Sequence, residues 1–190
     1  MKRRHLLSAL AVTPAVLAQS AASPAGEFAD AWLKSYAGHW LNERGYTLAV
    51  LDAMPADEFD FRPNPEQRVF GDQLRHLAHV NVVYFNVFRL EPVSSPPLAI
   101  DTKALDYLAS PTDREAVRKF VEASFDYGSA VLGKLTEAHL LRRDFRIRTP
   151  HTGADVLMRA FTHTAHHRGQ AVAYLRARGI APPAWVFEPA

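Results

Sequence analysis

The sequence predicts an all-α protein, a four-helix bundle preceded by a cleavable export signal. Three observations lead there. Four segments of roughly 20 residues or more repeat apolar side chains at three- and four-residue steps, the period of a helix with one buried face. Proline-rich connections separate them. The chain has 190 residues, 48% of them hydrophobic and 22% charged, enough for one domain with a substantial core.

The first element is a targeting segment. Lys2, Arg3 and Arg4 form a basic start, Leu6 to Ala18 is apolar, and small residues place cleavage after Ala18 or after Ala22. This is the pattern of a secretory signal over residues 1–22. It is too short for a membrane span, so no stable membrane insertion is expected after processing. Arg3-Arg4-His5-Leu6-Leu7 resembles a twin-arginine signal, with Lys2 where a Ser or Thr is usual. The expected location is therefore exported, periplasmic or secreted.

Removing that segment changes the charge balance. The whole chain carries 22 Lys+Arg against 20 Asp+Glu, and the three basic residues of the signal leave 19 against 20. A nearly neutral mature chain gives no electrostatic footprint for nucleic acid, which is excluded as a partner. There is no cysteine. A disulfide and a thiol nucleophile of the chain's own are thus excluded, and any metal site must use nitrogen and oxygen ligands.

The first helix is expected from about Glu27 to Met54, on the stripe Phe28, Ala31, Trp32, Tyr36, Trp40, Leu41, Leu48 and Leu51. Gly45 is a mild conflict inside it, and Pro55, Pro63 and Pro65 mark the connection that follows. The second is expected from about Phe70 to Leu90, with Val69, Gln73, His76, Val80, Val83 and Val87 as its core-facing row. Residues 91–111 hold four prolines and read as a long connection, either a lid or a solvated crossover. The third helix starts at Thr112-Asp113-Arg114-Glu115, a capping-box pattern, and runs to about Leu135 on Ala116, Phe120, Ala123, Tyr127 and Val131. Arg142 to Arg148 alternates and suggests a short extended piece. The fourth helix starts near Thr152, has Asp155 three residues on, and ends at about Arg178, where Gly179 and Pro182-Pro183 stop it. Its inward row is Val156, Ala160, His163, His167, Gln170 and Tyr174. The bundle domain is bounded at residues 27–183, with 184–190 as a tail.

Chemistry concentrates in the last helix. His163 and His167 stand four apart, one above the other on a helical face, a spacing at which two imidazoles can share one metal ion. Buried imidazoles need partners, and a metal is the simplest common one. His166 points about 100° away and reads as a surface residue. A catalytic site usually has three protein ligands and an open position, so a third ligand is sought on another helix. On the second helix His76 shares a row with Val80 and Val83, whereas His79 lies with Asp72, Arg75 and Asn86. His76 is therefore taken as the third ligand. His39, His139 and His151 are taken as surface residues. The helical zinc-protease motif requires Glu directly after the first His. That position is Thr164 here, so proteolysis by that route is excluded.

These residues resemble those of the DinB-like (DinB/YfiT-like) metal-binding four-helix bundles. The block Val69 to Ala78 with its single His76, the block His163-Thr164-Ala165-His166-His167-Arg168-Gly169-Gln170, and the ending Tyr174 to Gly179 with Pro182-Pro183 carry the resemblance. The connection from Met54-Pro55 to Arg62-Pro63 also fits. The likeness spans about residues 27–183. It implies His76, His163 and His167 as ligands of a divalent metal, zinc or nickel, with water completing the shell, and frequent homodimers. It further implies either a hydrolase or a thiol-dependent transferase. An export signal departs from the usual pattern, because a cytoplasmic thiol cosubstrate is scarce outside the cell.

The functional expectation is a metal-dependent hydrolase or transferase of a small-molecule substrate. Asn81, Tyr84 and Gln170 are the polar candidates beside the metal or substrate. The alternatives are a non-catalytic metal or small-ligand binder of the cell envelope, and a scaffold bundle with satisfied core histidines.

Overall fold

Helix α1 (Pro24–Ala53) supplies the central seam of the fold. Its buried row runs Ala29, Leu33, Tyr36, Trp40, Glu43, Thr47 and Val50, alternating steps of four and three as in coiled-coil packing. The computed structural model describes residues 24–90, 112–147 and 149–185. The expected export signal, the 91–111 connection and residues 186–190 of the tail lie outside the described residues. After α1 come α2 (Phe70–Asn86), α3 (Arg114–Leu132), the short α4 (Glu137–Leu141), strands β1 (Phe145–Ile147) and β2 (Thr149–His151), and α5 (Gly153–Ala177). Helices α1 and α2 each pack on both α3 and α5, which closes the four long helices into a bundle. No described helix is long and apolar enough to cross a membrane.

Trp40 anchors the core. It is fully buried, its ring lies 4.7 Å from Phe125 and 4.9 Å from Phe85, and its indole N–H donates to the Phe125 carbonyl at 3.1 Å. Gly128 makes this stacking fit. A Cβ there would fall 2.8 Å from both the Trp40 Nε1 and the Phe85 ring. Tyr36, whose pKa is raised by burial, donates its hydroxyl to the Leu157 carbonyl at 2.6 Å and so ties α1 to α5.

The helices form where the pattern places them, with differences at their ends and faces. On α1, Phe28 is 71% and Leu41 58% exposed. Tyr36, Trp40, Leu48 and Leu51 of the expected stripe are buried, and the seam also takes in the polar Glu43 and Thr47, which a count of apolar residues passes over. Helix α2 stops at Asn86 rather than Leu90, and Arg89 takes a positive φ of 48°. The cap of α3 is Asp113, not Thr112. The Asp113 carboxylate accepts from the Ala116 N–H at 3.0 Å, a geometry an Asp satisfies as well as a Thr. For α5 the expected cap holds: the Thr152 hydroxyl accepts from the Asp155 N–H at 3.1 Å, and Gly179 supplies φ 73° beyond its end.

Two small elements complete the chain. Helix α4 is closed by Thr136 and His139, whose Nδ1 accepts from the Thr136 N–H at 3.1 Å. The expected extended piece is one arm of a hairpin in which Phe145 pairs with His151.

Glu43 and Arg168 form a buried ion pair between α1 and α5. The guanidinium also stacks on the Tyr46 ring, 4.9 Å from its centroid. Desolvation lowers the Arg168 pKa to about 10, so it stays charged at neutral pH.

Two urea-denaturation experiments test this packing. Gly45 is exposed, with nothing within 4 Å of an added Cβ; Gly45→Ala should stabilise by about 0.5–1 kcal/mol through helix propensity. Gly128→Ala should instead destabilise by about 1–3 kcal/mol through overpacking. Glu43→Ala should cost about 3–5 kcal/mol by leaving a buried cation unpaired. The double change Glu43→Leu with Arg168→Met should cost less than that single one.

Candidate functional site

His76 from α2 and His163 and His167 from α5 converge where the two helices meet. Their ring centroids are 5.2 Å (76–163), 4.7 Å (76–167) and 4.4 Å (163–167) apart. One nitrogen from each lies within 4.8 Å of the others. Among the described residues this is the one cluster of three or more His, Cys, Asp or Glu able to hold a metal ion.

The three imidazoles are half-buried rather than inward. Val156, Ala160 and Tyr174 of the expected α5 row are buried, but the core face also takes in Leu157, Thr164, Arg168, Ala171 and Leu175, and His163, His167 and Gln170 lie beside it. On α2 the core face is Phe70, Leu74, Leu77, Ala78, Val82 and Phe85, while His76, Val80 and Val83 flank it. On α5 the cause is that Thr164 and Arg168 occupy core positions by pairing across the bundle, and polar residues do not register as core in a pattern of apolar steps; on α2 two apolar rows compete, and the one through Phe70, Leu74 and Leu77 faces the core.

Burial sets the protonation state. Desolvation, reinforced by the neighbouring imidazoles His76 and His166, lowers the His163 pKa to about 4. Desolvation again, with His163, His76, His166 and Arg68 nearby, lowers His167 to about 3. Both rings are neutral at pH 7, the form that donates a lone pair to a metal.

A hydrogen-bond chain orients the third ring. Tyr174 donates its hydroxyl to the Arg68 carbonyl at 2.9 Å. It accepts from the Gln73 amide nitrogen at 3.2 Å. The Gln73 amide oxygen therefore faces His167 Nδ1, 2.8 Å away, and accepts its proton. This fixes the tautomer with Nε2 as the free donor atom of His167. Such outer partners commonly hold ligating histidines in place. Gln73 and Tyr174 share rows with the histidines in the sequence, and an amide one turn before His76 is the signal that points to this support.

The other candidates divide. Tyr84 faces the site, its ring 6.2 Å from that of His163. Asn81 is fully buried behind the site, where its side-chain oxygen accepts from the Thr164 hydroxyl at 2.9 Å. Gln170 bonds the exposed His166, nitrogen to nitrogen at 2.8 Å, rather than the trio. His139 caps α4, His151 contacts Asp155, and His39 lies mid-helix against the edge of Phe161, not at a helix end.

A pocket of about 510 Å³ opens beside His163, lined also by Tyr84, Asp155, Met158, Arg159, Thr162 and His166. Asp155 is engaged there by Arg159 at 3.1 Å.

The donor set fits a borderline divalent ion. Three imidazoles, each ligating through a lone pair, are the nitrogen ligands such ions take. The Nδ1 of His163 is moreover buried with no hydrogen-bond partner, a cost that a bound ion, or an Nε2-bound ion that reorients the ring, would relieve.

Comparison with known proteins places the fold. The DinB family model matches residues 28–188. A DinB-like protein from Bacillus subtilis is similar at 20% identity and TM-score 0.62, over 80% of this chain and 99% of that one. A DinB-like protein from Bacillus cereus is similar at 21% identity and TM-score 0.54, over 76% and 91%. No curated protein matches the chain.

The depressed histidine pKa values predict a pH dependence. The unfolded chain, with His near 6.5, binds protons that the folded His163 and His167 refuse. The metal-free protein should hold its full stability above about pH 6.5 and lose it as pH falls toward about 4 and then 3. Urea midpoints between pH 7 and 5, above the carboxylate range, check this. They should fall with pH in the natural protein and stay nearly flat in His163→Gln/His167→Gln.

Proposed function

The chain belongs to the DinB family, and from that premise we propose that it binds one divalent metal ion, zinc or nickel, through His76, His163 and His167 and is a metal-dependent enzyme acting on a small molecule. The observation that carries the reading is the convergence of three half-buried imidazoles from two helices, one of which, His163, borders an open pocket. Bound there, a divalent ion supplies the Lewis acidity that makes a water or thiol nucleophilic near neutral pH.

The chain's own residues supply orientation. Gln73 holds His167 in one tautomer. Thr164 and Asn81 lock the α2–α5 contact behind His163. Tyr84, beside His163 in the pocket wall, is placed to donate a hydrogen bond to substrate. Thr162 and Arg159 add polar contacts from the same wall.

Hydrolysis is the first reading. Thiol-dependent transfer is the second, and one observation favours keeping it. The carboxylate lining the pocket, Asp155, is engaged by Arg159 and His151, so it is a poor base for an attacking water. A thiol, with an ordinary pKa of about 8.5, needs less help to ionise. The proposed setting is outside the cytoplasm, periplasmic or secreted, after removal of residues 1–22. No nucleic acid partner is included, and the proposed assembly is a homodimer.

Elemental analysis of the purified protein should find about one zinc or nickel per chain. His76→Ala should lose it while keeping its helical circular dichroism. Retention of the metal in that variant would refute the assignment. Gln73→Leu should weaken metal affinity about 10- to 100-fold. Ester, amide and thiol-acceptor panels then separate the two reactions. Metal without turnover across all of them would leave a non-catalytic binder of the envelope.

A further inference from the structure

On the far side of Met158 from His163 lies a second concavity. It has about 490 Å³ and is lined by Ala25, Phe28, Ala29, Trp32, Leu140 and Leu141 among others. Its charged lining residue is Glu137. Phe28, Leu141 and Met158 are 71%, 65% and 51% exposed, three of the five large apolar side chains left in solvent among the described residues, and all three belong to this groove. A smaller pocket, with Tyr36 and Phe161, shares Trp32 and Met158 with it.

Polarity changes sharply across Met158. One side carries Arg159, Thr162 and His163, and the other is almost wholly hydrocarbon. We propose that the groove holds the apolar chain of an amphiphilic substrate whose polar head reaches the histidine trio. The head end rests on the metal reading above; the chain end does not. From Met158, which lines both hollows, to His163 the helix rises about 7.5 Å and turns through about 140°, so a chain running from the groove to the trio bends around the helix and needs roughly ten carbons or more. The substrate class is thus a medium-chain acyl compound. Met158 suits the junction because its unbranched thioether yields to a chain laid across it.

The size of the concavity selects a small molecule. It falls in the range of ligand pockets, which are mostly apolar with a few polar groups at one end. A second copy of the chain would instead bury a broad patch of roughly 800 Å² per partner. Here the exposed apolar side chains gather on the rim of one hollow.

Calorimetric titration of the exported, naturally processed protein with sodium decanoate and sodium butyrate, with and without zinc, tests the proposal. Decanoate should bind about tenfold or more tighter than butyrate, and zinc should tighten decanoate further. Phe28→Glu/Leu141→Glu, both at exposed positions, should erase the preference while zinc content stays unchanged. Equal affinities, or a preference that survives the double change, would overturn the assignment. So would a decanoate affinity indifferent to zinc in protein that has taken zinc up, because groove and trio would then be separate. A dimer that dissociates on the double change, with no decanoate binding, would make a second copy the occupant. Protein that takes up no zinc yet keeps the chain-length preference fails the metal reading and supports the groove.

Discussion

Helices α2 and α5 meet through polar side chains as well as apolar ones, and the site exists because of that contact. Gln73 bonds both His167 and Tyr174, and Asn81 accepts from Thr164. These bonds cross the same interface at successive levels, between apolar residues such as Leu74, Leu77, Ala160 and Ala171 that fill the space around them. Apolar packing alone tolerates rotation of a helix about its axis, because one methyl group substitutes for another. A hydrogen bond does not. The rotation of α5 relative to α2 decides whether His163 and His167 face His76, and these side-chain bonds define it.

The Glu43–Arg168 pair constrains the other side of α5. Taking two charges out of water is expensive, and such a pair often adds no net stability over hydrophobic residues of the same size. Its value here is positional. Arg168 adjoins His167 in sequence, so a charge that must meet Glu43 on α1 turns the next residue toward α2. Tyr36, bonded to the Leu157 carbonyl, fixes the same helix three turns earlier. Helix α5 is thus held from α1 by one ion pair and one buried hydroxyl, and from α2 by amides.

The bundle and its four long helices were legible because the period of apolar residues survives local noise. The trio was legible because histidines four apart on one helix, and one histidine in a plausible row of another, need only the helical repeat. Faces were less legible, and for a common reason. Glu43, Asn81, Thr164 and Arg168 are buried, yet none stands in a core row of apolar steps; their partners lie on other helices, far away in sequence. On α5 that made the histidines look deeper than they are. The α3 cap was missed because Thr112 and Asp113 are both good caps, and only the backbone angles choose between them. The groove could not be read at all, since its walls come from α1, α4 and α5.

Half-burial is what lets the trio work as a site. A histidine in the core would be neutral but unreachable. One on the surface would be reachable but would begin to protonate just below neutral pH, around its ordinary pKa of about 6.5. At the flank of the α2–α5 contact, His163 and His167 lose enough water to stay neutral at pH 7, yet His163 still borders an open pocket. The core positions that would otherwise have pulled the histidines inward are taken by Thr164 and Arg168. Those two residues satisfy their polarity against Asn81 and Glu43. The buried polar residues that obscured the sequence pattern are therefore the ones that leave the imidazoles at the edge, where neutrality and access coincide.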